Sequence, residues 1–252
     1  MGDIPLWPRW QRFGQELTWA EPAQRLTTTL LATNSKHSTS QFAEQFAKSF
    51  SEKLTETFRI MVDLYGEERR AYHTLEHIEA CFAIFDQVRE LAQDPLAVEA
   101  AIWFHDVIYQ IGATDNEWQS AVWAANQLKA ATAVLLTSNS LCVNHAFIQK
   151  VYDLICATDH KSIPADGDSR LLVDIDLAGL GASSEAYSRY SQQIRQEFQT
   201  VPWEEYAQGR TLLLQGFLNR STIYVTEYFH QQYEEQARAN IRAEIEELAR
   251  SC

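Results

Sequence analysis

"DPLAVEAAIWFHDVIY", residues 94–109, decides the fold class. Asp94 is a residue type that caps helix N-termini, and Pro95 suits the first helical position. The centre, Ala100–Phe104, is apolar on all sides, which predicts a helix buried all round. At its end stand His105 and Asp106. Burying such a pair is costly unless something compensates it. A divalent cation compensates an imidazole and a carboxylate together. The plainer reading makes Asp106 a helix-end hydrogen-bonder and His105 a satisfied core histidine.

Helical periodicity continues on both sides. In "STSQFAEQFAKSFSEKLTETFRIMVDLYG", residues 38–66, Phe42, Phe46, Phe50, Leu54 and Phe58 follow one another at i+4 steps. A Ser/Thr cap precedes that run and Gly66 ends it. "TLEHIEACFAIFDQVRELAQ", residues 74–93, repeats the pattern through Leu75, Ile78, Phe82, Phe85, Val88 and Leu91. Further helices are predicted at about Asn116–Ala131, Asn144–Ala157, Ser184–Phe198, Trp203–Asn219 and Thr222–Leu248. Thr158–Asp168, with its proline and glycine, reads as a loop, as does Ser138–Val143. Strand signals are nearly absent. The expected class is all-α, a single compact multi-helix bundle over 37–252. Residues 1–36 read as an N-terminal extension packed on it through Trp7, Trp10 and Phe13.

The 252 residues are enough for a sizeable core, and 46% hydrophobic with 22% charged is a globular composition. The formal net charge of −13 argues against nucleic-acid partners and anionic membranes. A small phosphorylated substrate stays open, because a bound metal inverts the local field. A homodimer is compatible with these numbers. Cys81, Cys142, Cys156 and Cys252 form no C-x-x-C pair. Cys81 and Cys156 read as core thiols. That usage fits a reducing compartment. "MGDIPLWPRWQRF" has no apolar signal region, so the expected location is cytoplasmic.

Two other clusters join His105-Asp106. "RAYHTLEHIE", residues 70–79, puts His73 and His77 four apart, which on a helix is one face. Spelled H-x-x-E-H with Glu76 as base, it matches an inverted zincin protease. That reading leaves His105-Asp106 unexplained and lacks an evident downstream glutamate ligand. "RLLVDIDLAGLG", residues 170–181, buries Asp174 and Asp176 in apolar surroundings. Spaced by two, they cannot share a helix face, so one faces a site and the other caps or pairs structurally.

The order His77, His105-Asp106 and a later aspartate resembles the H…HD…D signature of the HD-domain superfamily of metal-dependent phosphohydrolases. "YHTLEH" is also similar to the Y-H-N-x-x-H motif of cyclic-nucleotide phosphodiesterases, with Thr74 in place of asparagine. More broadly, "YHTLEHI", "AIWFHDVIY", "DNEWQSA", "DIDLAGLG", "GRTLLLQGFLNRSTIY" and "EEQARANI" resemble a bacterial family of predicted HD phosphohydrolases over roughly residues 40–248. The resemblance implies an HD-type helical domain. It implies His73 as general acid and His77, His105, Asp106 and Asp176 as metal ligands, with Asp106 also catalytic when it bridges two ions. Asp176 is preferred to Asp174 because Asp-Leu matches the closing motif. His160 would be a ligand to a second ion.

Mixed imidazole and carboxylate donors suit Mn, Fe, Co, Ni or Zn better than Mg, with one or two ions. Arg70, Arg210 and Arg220 are candidate phosphate contacts. Glu117 is a candidate for orienting water or substrate. The expected activity is phosphoester hydrolysis. The rival from another class is a metal- and nucleotide-binding protein without turnover.

Overall fold

The computed structural model describes residues 4–19, 36–133 and 145–250, with no side chains for 18–19, 36–47 or 132–133. The side chains of Phe42 and Phe46, the 138–143 loop, Cys142 and Cys252 lie outside the described residues. Among those described there are ten α-helices and no strand, so the all-α class holds. By its internal contacts the chain divides into two compact units.

The first unit comprises 1–65, 94–108 and 115–156. It contains α1 (Trp7–Trp19), α2 (Lys36–Tyr65), α3 (Pro95–Phe104), α4 (Asn116–Ala133) and α5 (His145–Ala157). Asp94 caps α3, accepting from the Ala97 N–H at 3.1 Å. Residues 97–104 are all buried, as an all-round apolar helix requires. Their packing is aromatic. Trp10 meets Trp103 edge-on at 5.1 Å, and Phe58 meets Trp103 at 6.1 Å. The Trp10 indole N–H donates to Leu54 O, and the Tyr65 hydroxyl to Trp103 O. Trp10 and Phe13 of α1 are therefore core residues of this unit. The α1 helix also answers a buried charge: Arg9 Nε donates to Glu99 on α3 at 3.2 Å. Helix α3 stops at Phe104, immediately before the His105-Asp106 pair. Ser120 of α4 explains part of this, accepting from Ile108 N and donating to Ile108 O. The chain after Asp106 is thereby tied to α4 and leaves the helical path.

The second unit comprises 66–93, 109–114 and 157–252. It contains α6 (Leu75–Val88), α7 (Gly167–Asp176), α8 (Ser184–Glu197), α9 (Trp203–Leu218) and α10 (Glu227–Arg250), with short 3₁₀ turns at Arg89–Leu91 and Leu177–Gly181. Here α10 packs along the 177–181 turn and α9. The turn approaches so closely that a Cβ on Gly181 would lie 2.7 Å from Tyr233 Cβ and 2.8 Å from Tyr233 O. Only glycine fits there. Asn240 closes the contact by donating to Leu180 O and Ala182 O.

Helix α10 begins five residues later than its periodicity suggests, because carboxylates take up the amides of the preceding segment. Glu234 accepts from Ile223 N and Tyr224 N, while Asp174 accepts from Val225 N and Thr226 N. Arg210 and Glu244 form a two-bond pair, at 2.8 and 3.2 Å, in the buried layer between α9 and α10. Among the described residues no helix is long and apolar enough to cross a membrane.

Candidate metal centre

Thr74 caps α6, its side chain accepting from the Glu76 N–H at 3.3 Å. His73 therefore lies just outside the helix, and only His77 is on it. This corrects the expectation that both histidines share a helical face. The cause is Glu197, at the end of α8. Its Oε1 accepts the backbone N–H groups of Ala71, Tyr72 and His73, each at 2.9 Å. Its Oε2 lies 2.7 Å from His73 Nδ1. One carboxylate thus folds the whole 71–73 turn onto itself. Burial pushes the Glu197 carboxyl up, but the His73 hydrogen bond and charge and the backbone N–H donors outweigh it. The net result is about 2, below the usual 4.5.

The His73 imidazole stacks on Tyr109, ring centroids 4.0 Å apart, and stands 6.2 Å from the His77 ring. Glu76, the zincin base, is exposed.

His77 is buried on α6. Its Nε2 lies 3.2 Å from Asp176 Oδ1, at the end of α7. One helical turn on from His77, the Cys81 Sγ is 3.7 Å from the same nitrogen. His105, 1% exposed, directs Nδ1 to Ile102 O at 3.1 Å, which makes Nε2 its donor atom. His77, Cys81, His105 and Asp176 each offer one ligand atom, and these atoms lie within 4.8 Å of one another. Such a group could hold a metal ion. Its donor chemistry is nitrogen, sulfur and oxygen, at separations a small cation can span. Asp106 is not among the four; its Oδ2 lies 3.1 Å from His105 Nε2.

The two aspartates of 174–176 divide their labour. Asp176 faces His77. Asp174 is fully buried and accepts from Val225 N, Thr226 N and the Thr226 hydroxyl. Burial raises its carboxyl, only partly offset by these bonds.

His160 is not in the group of four either. Its Nε2 holds the other Asp176 oxygen, Oδ2, at 2.9 Å. Its backbone is left-handed, φ +54°, an uncommon conformation for a residue with a Cβ. Arg220 donates to its carbonyl and lies over the Phe217 ring at 4.6 Å. That places Arg220 as the support of His160. Arg70 likewise turns inward, donating to Glu67 and to His73 O, beneath Tyr109. Arg210 is taken up by Glu244 and Tyr190. Glu117 sits half-buried in the first turn of α4.

Sequence reasoning missed Glu197 and passed over Cys81. The i+4 spacing of Cys81 from His77 was a usable signal. Glu197 gave none, being one acidic residue at the end of a polar helix.

No family model matches the chain, and neither a curated protein nor a solved structure matches it.

Proposed function

We propose that the protein is a metal-dependent phosphohydrolase that cleaves a small phosphoester, nucleotide-like in class. The observation that carries the reading is the His73–Glu197 pair standing beside the His/Cys/Asp group. A bound divalent ion supplies a water of lowered pKa and positive charge for phosphoryl oxygens. His77, His105 and Asp176 would hold it. Asp106, against His105 Nε2, is placed to take a proton from an attacking water.

With Nδ1 committed to Glu197, His73 exchanges its proton through Nε2. The buried carboxylate behind the ring stabilises the imidazolium that a general acid must carry before it protonates a leaving alkoxide. Tyr109 fixes the ring plane by stacking. His160, on the second oxygen of Asp176, orients that carboxylate. The HD-type likeness of "YHTLEH", "FHD" and "DIDL" supports the same assignment.

The test is a screen of nucleotides and phosphate diesters with Zn, Co, Mn, Ni, Fe and Mg, paired with metal analysis. His73→Gln is expected to cut turnover about 100-fold or more while metal content stays at the wild-type value. Unchanged turnover in His73→Gln refutes the assignment.

One observation favours a second reading. The His/Cys/Asp group offers four protein donors, and four protein donors are the pattern of structural rather than catalytic zinc. In that case the ion is retained, nucleotide binds, and no metal in the screen yields turnover.

A further inference from the structure

We propose that Cys81 is a metal ligand, as its thiolate, and that the ion is consequently zinc or a similarly thiophilic metal rather than magnesium or manganese. This rests on the metal-centre reading above and goes beyond its imidazole and carboxylate donors.

The first argument is geometric. Zinc bonds run to about 2.3 Å for sulfur and about 2.0–2.1 Å for imidazole nitrogen and carboxylate oxygen. At a tetrahedral angle those lengths separate sulfur from nitrogen by about 3.6 Å and nitrogen from oxygen by about 3.3 Å. The corresponding separations here are 3.7 Å for Cys81 Sγ to His77 Nε2 and 3.2 Å for His77 Nε2 to Asp176 Oδ1. In length these two separations suit a shared ion. Sγ is also 3.9 Å from Nδ1, so it lies beside the ring rather than along the Nε2 lone pair, and a turn about the Cys81 Cα–Cβ bond would bring it to an ion held there.

The second argument is rigidity. Cys81 and His77 are one turn apart on the same well-formed helix, and both are buried. Neither needs a new backbone conformation to reach one ion. The third argument is chemical. Thiolate is a soft donor that selects zinc, iron or cobalt over hard oxygen-seeking ions. Deprotonation on binding is expected, since a coordinating thiol loses its proton to solvent.

The experiment uses the full chain, stripped of metal and reloaded with cobalt(II) under reducing conditions. Bound cobalt is counted by elemental analysis, and the near-ultraviolet spectrum is read for a sulfur-to-cobalt charge-transfer band. The expected result is one cobalt per chain with that band. Cys81→Ser should lose the band while keeping its helical circular dichroism. A variant in which Cys142, Cys156 and Cys252 are all serine should retain it.

Stoichiometric cobalt with no band in the wild type overturns the thiolate ligand and leaves the metal centre standing. A band that survives in Cys81→Ser overturns it as well, by assigning the sulfur elsewhere. Absence of bound cobalt overturns both the metal centre and the ligand. Where Cys81→Ser folds poorly, the triple-serine variant decides: its one remaining thiol is Cys81, and loss of the band there overturns the ligand.

Discussion

Replacing Glu197 by glutamine tests the hinge of the site. The wild-type carboxylate takes four donors: three backbone N–H groups and the His73 ring. Glutamine offers one oxygen and an amide that itself donates. It cannot face both the backbone amides and the Nδ1–H of His73 without placing donor against donor. Hydrogen bonds to a charged group contribute about 1.5–3 kcal/mol each, and an orphaned buried donor costs about 1–3 kcal/mol.

The carboxyl sits at about 2 in the folded protein against the ordinary 4.5. A folded-state value that is depressed means stability fully present above pH 4.5 and lost as the pH falls toward 2. The whole displacement corresponds to roughly 3 kcal/mol, of which about 2 kcal/mol is gone by pH 3. Urea unfolding followed by circular dichroism at pH 7 and pH 3 should therefore show a wild-type advantage of about 2–4 kcal/mol at pH 7 that shrinks by about 2 kcal/mol at pH 3. Turnover at neutral pH should fall with it, because His73 loses its fixed tautomer. An advantage that is the same at both pH values would refute the argument that this carboxylate is held ionised by its partners.

Two further outcomes follow from buried carboxylates elsewhere. Asp174→Ala strands three donors at the start of α10 and should lower stability by about 2–4 kcal/mol in thermal melts, with the bound-metal ratio of the folded fraction unchanged. Loss of metal without loss of stability would reverse the roles given to Asp174 and Asp176. Arg210→Met leaves Glu244 buried against Tyr187 without its cation, at a cost of about 3–5 kcal/mol in urea unfolding. Pairing it with Glu244→Leu should recover much of that, and a single variant as stable as the wild type contradicts a structural role.

What could be read from the sequence was what is local. Asp94 and Pro95 announce α3 because a cap acts over three residues. Phe50, Leu54 and Phe58 announce α2 because helical spacing is periodic. His105, Asp174 and Asp176 stood out because polar groups in apolar runs demand a reason, and His77 through its spacing from His73. Spacing alone could not say which of Asp174 and Asp176 faced His77. The answer lay in Val225 and Thr226, which needed an acceptor at the start of α10. Arg210 and Arg220 looked like phosphate contacts because their partners, Glu244 and the His160 carbonyl, are distant in sequence. Glu197 was illegible for the same reason: its meaning resides in the amides of 71–73. The late start of α10 was hidden too, since Ile223–Thr226 could have continued its helical pattern and are instead bound through their amides by Glu234 and Asp174.

The 71–73 turn has a temporal consequence. Its amides wait for a side chain emitted from the ribosome more than a hundred residues later, and His77 waits almost as long for Asp176. A chain growing from its N-terminus exposes His73, His77 and Cys81 well before either carboxylate exists. Contacts so remote in sequence close late in folding. If the group holds a metal ion, binding would wait until Asp176 of α7 reaches His77, and a stalled or truncated chain would present loose histidines and a thiol instead.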